Sequence, residues 1–186
     1  MGRLIYSVIA SLDGYVNDAD GDFSWAMPDE EVHAFVNDEM RSVRTHLYGR
    51  RLYEVMQVWQ TFGLDDDDDP ITKDFGQLWR AADKVVYSST LTDVSTPKTR
   101  LERTFDPDVV RRLAADAEDD VSVGGPGLAA DALRAGLVDL LSVIVVPVVV
   151  GGGTPYLPDG LRLQLRLEHQ HRFSSGFVAL RYAVGH

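Results

Sequence analysis

The 186-residue chain contains no cysteine. This absence excludes disulfide bonds, thiolate zinc sites and cysteine nucleophiles. A long apolar run is also missing, because the most apolar stretch, residues 140–150, is much shorter than the roughly 20 residues that a membrane-spanning helix needs. No basic region followed by a long apolar one opens the chain, so we expect no signal peptide and no membrane partner. Together with the missing cysteines, this fits a cytoplasmic protein.

Positive charge is scarce as well. Lysine and arginine number 18 against 29 aspartates and glutamates, which gives a formal net charge of −11. Such a surface repels phosphate backbones and argues against nucleic acid as a partner. Part of the excess lies in five consecutive aspartates, residues 65–69, which we interpret as a solvated loop. The run lacks the spaced ligands and the turn glycine of a calcium loop.

Apolar strands alternate with helical patterns along most of the chain. The patterns predict an opening strand at 3–10, a helix at 29–44, a strand buried on both faces at 140–150, and alternating strands at 161–171 and 177–184. This order predicts one α/β domain over residues 1–186, with a mixed, mostly parallel sheet flanked by helices and an antiparallel hairpin at the C-terminal end.

The stretch 121–153 is the most informative, because it reads as strand, glycine turn, helix and strand. Its turn, Gly124-Gly125-Pro126-Gly127, opens a helix and therefore presents free backbone N–H groups that can bind phosphate. The match to the dinucleotide fingerprint is only formal, since the turn lies late in the chain and no acidic residue ends the next strand. A tight structural turn is the alternative.

Two other strand ends carry similar turns. Gly49-Arg50-Arg51 follows one predicted strand and Ser88-Ser89 follows the next. Ligands collect beyond the carboxyl ends of strands in open sheets, so the three turns could converge on one phosphorylated ligand. Solvated surface arginines and simple serine turn chemistry are the alternatives.

Five segments in order resemble the family of dihydrofolate reductase-like proteins that includes the C-terminal reductase domain of bacterial riboflavin biosynthesis. They are SLDGYV (11–16), YGRRLYEVM (48–56), YSSTL (87–91), VGGPGLAADAL (123–133) and PVVVGGGTPYL (147–157). The resemblance implies a dihydrofolate reductase-like fold, in agreement with the pattern above.

The resemblance also implies NADPH as the cofactor. Ile9 and Ala10 match the strand beside the nicotinamide, and the other implied cofactor-binding residues are Gly49, Arg50, Arg51, Leu52, Ser88, Ser89, Gly124, Gly125, Pro126, Gly127 and Leu128. Leu52 stands where dihydrofolate reductases carry a hydroxyl residue. Arginines and serines suit a 2′-phosphate, and the sequence places no acidic residue to hold a free ribose hydroxyl.

Substrate residues are implied less directly. Asp13 matches the family's recurrent acid near the nicotinamide and is the candidate catalytic residue, with an Asp-Gly turn as the alternative. His33 lies where dihydrofolate reductases carry a helix carboxylate, and Phe23 and Trp25 could wall the pocket or belong to the core. No metal site is expected, because His169 and His171 share a strand face without a third ligand.

These observations predict an NADPH-dependent reductase resembling 5-amino-6-(5-phosphoribosylamino)uracil reductase, acting on a small molecule. The alternatives are a dihydrofolate reductase and a non-catalytic NADPH-binding module. Long exposed hairpins need cover, and family members commonly pair through this part of the sheet. We therefore expect a homodimer through one face of the C-terminal strands, with these candidate contacts: Leu163, Leu165, Leu167, Phe177 and Ala179. The sequence does not decide which face meets the core and which meets the partner.

Overall fold

The computed structural model describes residues 2–185 and contains ten strands. They are β1 (Leu4–Ser11), β2 (Tyr15–Asn17), β3 (Val43–Gly49), β4 (Asp83–Tyr87), β5 (Thr99–Glu102), β6 (Asp120–Gly124), β7 (Leu140–Val146), β8 (Thr154–Pro155), β9 (Leu165–Arg172) and β10 (Val178–Val184). Eight of them form one sheet in the order β5-β4-β3-β6-β1-β7-β10-β9, and β2 pairs with β8. The main sheet is parallel from β5 to β7, whereas β10 and β9 are antiparallel, as predicted.

Five α-helices connect or flank these strands. They are α1 (Glu30–Met40), α2 (Arg50–Met56), α3 (Pro70–Ala81), α4 (Pro107–Asp116) and α5 (Pro126–Arg134). Successive strand residues point to opposite faces of the sheet. Leu141 of β7 accordingly packs into the core beneath α4 and α5, whereas Ile144 and Val146 pack into a second core beneath α1. None of these helices is long and apolar enough to cross a bilayer.

The helix starts fall into two chemical kinds. Aspartate side chains cap α1, α3 and α4, where Asp29, Asp69 and Asp106 accept hydrogen bonds from backbone N–H groups of the first turn. The last residue of the acidic run is thus a helix cap rather than only part of a solvated loop. In contrast, α2 and α5 begin after Gly49 and Gly125 and have no side-chain cap. Their first N–H groups therefore remain available.

Several predicted boundaries were wrong. The helix predicted at 29–44 ends at Met40, and the chain re-enters the sheet at Val43, where β-branched residues favour a strand. The strand predicted at 140–150 ends at Val146, because Pro147 has no N–H to continue the ladder. The predicted strand at 161–171 begins only at Leu165. Strand β5 was not predicted at all.

The candidate dimer contacts of the C-terminal hairpin differ in their exposure. Phe177 is 8% exposed and Ala179 is 2% exposed, and both belong to the core beneath α1, so these two candidates lie on the face that meets the core. All eight residues of β9 are exposed at the sheet edge, including Leu165 at 40% and Leu167 at 47%. Leu163 packs partly against the core beneath α5.

Candidate cofactor-binding site

A cleft opens in the sheet where β1 and β6 part. Strand β1 pairs with β6 only from Leu4 to Tyr6, although it continues to pair with β7 as far as Ser11. Residues 7–11 of β1, which include Ile9 and Ala10, therefore have no strand partner on the β6 side. The chain leaves β1 toward β3 and leaves β6 toward β7, so this is a point where the connections diverge. Such points are where open α/β sheets bind ligands.

The two glycine turns meet beside this cleft. A Cβ atom built on Gly125 would lie 3.7 Å from the backbone N of Gly49, and Gly125 has a φ of +89°, which disfavours other residues. A Cβ atom on Gly124 would lie 2.5 Å from Cδ2 of Leu52 and 3.3 Å from Cδ1 of Tyr48. Packing thus accounts for Gly124, and backbone conformation accounts for Gly125. Leu52 fills the space over the turn instead of offering a hydroxyl group.

A cavity of about 230 Å³ adjoins these turns. Its lining residues are Gly49, Tyr87, Ser88, Ser89, Arg103, Phe105, Leu128 and Asp131. Four of them were predicted to bind the cofactor: Gly49, Ser88, Ser89 and Leu128. The rings of Tyr87 and Phe105 meet edge to face with centroids 5.6 Å apart. The cavity therefore combines an aromatic wall, hydroxyl groups and charged side chains of both signs.

Arg103 organises the loop at one side of the cavity. Its guanidinium donates hydrogen bonds to the carbonyl oxygens of Ser88 (3.3 Å), Leu91 and Thr92 (3.4 Å). The Ser88 hydroxyl oxygen accepts from the N–H groups of Thr90 (3.3 Å) and Leu91 (3.0 Å), which is turn chemistry. The Ser88 hydroxyl hydrogen can still be donated to a ligand. Arg103 was missed by the sequence analysis because β5, which delivers it, was missed.

The two predicted arginines differ in availability. Arg50 donates to Glu54 at 2.7 Å and to the hydroxyl of Thr90 at 2.9 Å, so it ties α2 to the loop that follows β4. Arg51 is exposed, and within residues 2–185 it forms no hydrogen bond or ion pair. Arg51 is therefore the freer of the two to contact an anion. Nothing in the local sequence ranks the two arginines.

Asp131 is a second residue that the sequence analysis missed. It lies one turn after Leu128 on α5 and lines the cavity with Arg103. The cavity therefore carries an acidic side chain that the sequence alone did not place near these turns. Asp131 could have been predicted from its spacing, because it lies three residues after Leu128 and residues three apart share a helix face.

Asp13 anchors two loops to each other. Its carboxylate accepts hydrogen bonds from the backbone N–H groups of Val150 (3.2 Å) and Gly151 (2.7 Å). A hydrogen bond from the Ser11 side chain, followed by that from Gly151, lowers the pKa of Asp13. An ionised carboxylate whose two oxygens both accept hydrogen bonds from the backbone suits a structural role for Asp13 in its turn, which is the alternative to catalysis. Its catalytic role stays a prediction.

The remaining substrate candidates lie around α1. The ring of His33 lies 5.7 Å from that of Trp59 and 5.5 Å from that of Phe75, and burial lowers its pKa. Trp25 packs against the core beneath α1 and donates from Nε1 to the carbonyl of Asp22. Phe23 is exposed on the loop after β2. His33 thus offers a neutral imidazole in an aromatic setting where a dihydrofolate reductase has a carboxylate.

The paired histidines of β9 contact an aromatic ring instead of forming a cluster of ligands. His169 and His171 stack on Phe35 of α1, with centroids 6.4 and 5.7 Å apart. Over the part of the chain that the structure describes, no group of three histidine, aspartate or glutamate side chains could hold a metal ion.

Comparison with known proteins places the chain in a class. That class is the dihydrofolate reductase-like proteins, whose fold the chain has. Residues 3–179 match the family described as the RibD C-terminal domain, so the chain belongs to that family. It is 25% identical over 181 residues to "Uncharacterized protein YyaP" of Bacillus subtilis (strain 168), which covers 97% of this chain and 94% of that protein.

Two solved structures show the fold. A pyrimidine reductase-like protein from Corynebacterium diphtheriae has a TM-score of 0.70 and 16% identity, with 100% of this chain and 92% of that one covered. The dihydrofolate reductase from Enterococcus faecalis, complexed with NADP(H) and RAB-propyl, has a TM-score of 0.63 and 12% identity, with coverage of 100% and 98%.

Proposed function

We propose that the protein is an NADPH-dependent reductase of a small heterocyclic substrate. The observation that carries this proposal is the meeting of two uncapped helix starts, at Gly49 and Gly125, beside a cavity with an aromatic wall and Arg103. Uncapped helix starts attract phosphate, and an arginine with serines suits a further phosphate group. Aromatic and apolar residues beside them suit a purine.

The residues of the site fit this cofactor along its length. The cavity would hold the adenosine end, with Arg103, Ser88 and Ser89 near the 2′-phosphate. The N–H groups of Gly127 and Leu128, which have no intrahelical acceptor, would face the pyrophosphate together with Arg51. The unpaired residues of β1, including Ile9 and Ala10, would lie along the nicotinamide. The cofactor supplies the hydride, and the protein orients the reactants and excludes water.

The family supports a riboflavin-type substrate over dihydrofolate. A relative of 5-amino-6-(5-phosphoribosylamino)uracil is the candidate, because the chain belongs to the RibD C-terminal domain family. Dihydrofolate is disfavoured because His33, half-buried against Trp59, is held neutral by its lowered pKa. A neutral imidazole does not replace the ion pair that a carboxylate makes with a protonated pterin.

Binding and turnover test the two parts of the proposal separately. NADPH should raise the unfolding temperature more than NADH does, and at about 100 times its dissociation constant it should stabilise the fold by about 2.7 kcal/mol. Oxidation of NADPH is then followed with the phosphoribosylaminouracil, with related pyrimidines and with dihydrofolate. Equal thermal shifts with both cofactors would refute the cofactor assignment. Binding without turnover on the whole panel would favour a non-catalytic module.

We also propose that the protein forms a two-fold symmetric homodimer through β9. This strand is an eight-residue edge with exposed Leu165 and Leu167, and long uncovered edges promote uncontrolled pairing. A specific dimer should bury about 1,200–2,000 Å² in total. Light scattering should give twice the monomer mass of 20.6 kDa. Leu167→Glu should shift the protein toward monomer, and a wild-type monomer at micromolar concentration would refute this arrangement.

A further inference from the structure

The cavity beside Gly49 holds opposite charges that do not neutralise each other. Arg103 directs its guanidinium to backbone carbonyl oxygens of Ser88, Leu91 and Thr92, and over residues 2–185 it has no carboxylate partner. The Asp131 carboxylate, on the other wall, forms no hydrogen bond or ion pair with any residue in the range 2–185. A ligand in the cavity therefore meets a guanidinium and a carboxylate, neither of which is neutralised by an ion pair within residues 2–185.

The two charges affect the binding of NADPH and of NADH differently. NADPH carries a 2′-phosphate with a charge of about −1.5 to −2 at neutral pH, which Arg103 attracts and Asp131 repels. NADH carries a ribose 2′-hydroxyl in the same place, and a carboxylate accepts a hydrogen bond from such a hydroxyl. Asp131 thus disfavours one cofactor and can favour the other.

We infer that Asp131 is a specificity-determining residue. It reduces the preference of the site for NADPH over NADH, so that the site accepts NADH as well. The inference rests on the proposed function, since it assumes that the cavity receives the adenosine ribose. The position of the residue supports it, because Asp131 and Leu128 share the face of α5 that lines the cavity. The phosphate-binding N–H groups lie at the start of the same helix.

The test is the ratio of the dissociation constants for NADH and NADPH, measured by titration of the intact protein. At a separation of roughly 8 Å in water, removal of one unit charge should strengthen NADPH binding about fourfold to sixfold. Asp131→Asn should therefore widen the ratio by that factor. NADH affinity should change little, because the asparagine amide oxygen still accepts a hydrogen bond from the 2′-hydroxyl. The gain should shrink at high salt, because exposed charges are screened.

Three further variants make the result specific. Asp131→Glu keeps the charge and should keep the wild-type ratio. Arg103→Gln should narrow the ratio. Asp116→Asn is the matched control. Asp116 ends α4 shortly before β6 begins, whereas the cavity lies where β3 and β4 end, so this variant changes the net charge without changing the cavity. A ratio in Asp131→Asn equal to that of Asp116→Asn would overturn the inference.

The wild-type protein separates this inference from the proposed function. If it binds NADPH but Asp131→Asn leaves the ratio unchanged, only the role of Asp131 is refuted. If it binds neither cofactor, the proposed function is refuted and the inference with it. Because Asp131 is exposed, we expect its variants to unfold at the wild-type temperature in the absence of cofactor.

Discussion

His46 should make the protein unfold more easily as the pH falls below neutrality. It lies on β3 in register with Lys84 of β4 and Ser122 of β6, and its Nδ1 lies 2.6 Å from the Ser122 hydroxyl. Its ring stacks on Tyr48 with centroids 5.4 Å apart. Burial, reinforced by the nearby Lys84 ammonium, lowers the pKa of His46 from 6.5 to about 3. The folded protein therefore keeps this ring neutral.

The sign and size of the effect follow from linkage. Below a pH of 6.5 the unfolded chain binds a proton at His46 that the folded chain does not bind, so the stabilising contribution is complete above 6.5 and is lost as the pH falls toward 3. At about pH 5 the free energy of unfolding should be lower by about 2 kcal/mol than at about pH 7.5 from this group alone. Burial also lowers the pKa of half-buried His33, so this residue adds a further decrease in the free energy of unfolding as the pH falls.

The assay is urea unfolding at the two pH values with wild type and His46→Asn. An asparagine places its amide near the position of Nδ1 and so keeps a hydrogen bond to Ser122, although it removes the stacking on Tyr48 and lowers absolute stability. The loss of stability between the two pH values should be about 2 kcal/mol smaller in the variant. His171→Asn, at an exposed position, is the control and should retain the wild-type loss. Equal pH-dependent losses in His46→Asn and wild type would refute the reasoning.

Two further predictions concern the arginine turn and the loop anchor. Arg51→Ala should weaken NADPH binding by about 1.5–3 kcal/mol and make it less sensitive to salt. Arg50→Ala should weaken binding less, because Arg50 is already paired with Glu54. Equal losses of affinity in a titration of both variants would show that this pairing does not keep Arg50 from the cofactor. Asp13→Asn should lower turnover while NADPH affinity stays nearly intact. Lower unfolding temperature with normal turnover per folded molecule would instead assign Asp13 to anchoring Val150 and Gly151.

The sheet and its order of elements were predictable because apolar periodicity dominates them. Strand β7 is buried on both faces, and its run of β-branched residues indicates this directly. Strand β5 was not predictable in the same way, since its four residues, Thr99-Arg100-Leu101-Glu102, are mostly polar. It is held by pairing with β4, which is a long-range contact that no local pattern encodes.

The same limit explains which site residues were missed. Arg103 follows β5, and Asp131 lies on α5, so their meeting at one cavity depends on how β4, β3 and β6 are ordered between them. Glycine turns can be found from local sequence, whereas a pair of side chains from two distant elements cannot. The hairpin faces were ambiguous for a related reason: the register shift between Arg181 and Tyr182 changes which residues of β9 share a face.

The glycines of the turns are by themselves weak evidence that this protein binds phosphate there. A side chain at Gly124 would press on Leu52 and Tyr48, and Gly125 has a positive φ that other residues rarely adopt, whether or not a ligand binds. The stronger evidence is the contrast among helix starts. Aspartates cap α1, α3 and α4, and a carboxylate at a helix start would repel phosphate. The two helices without a side-chain cap, α2 and α5, are the two whose starts meet beside the cavity. An acidic chain that otherwise caps its helices with carboxylates leaves N–H groups free at the place where an anionic cofactor would need them.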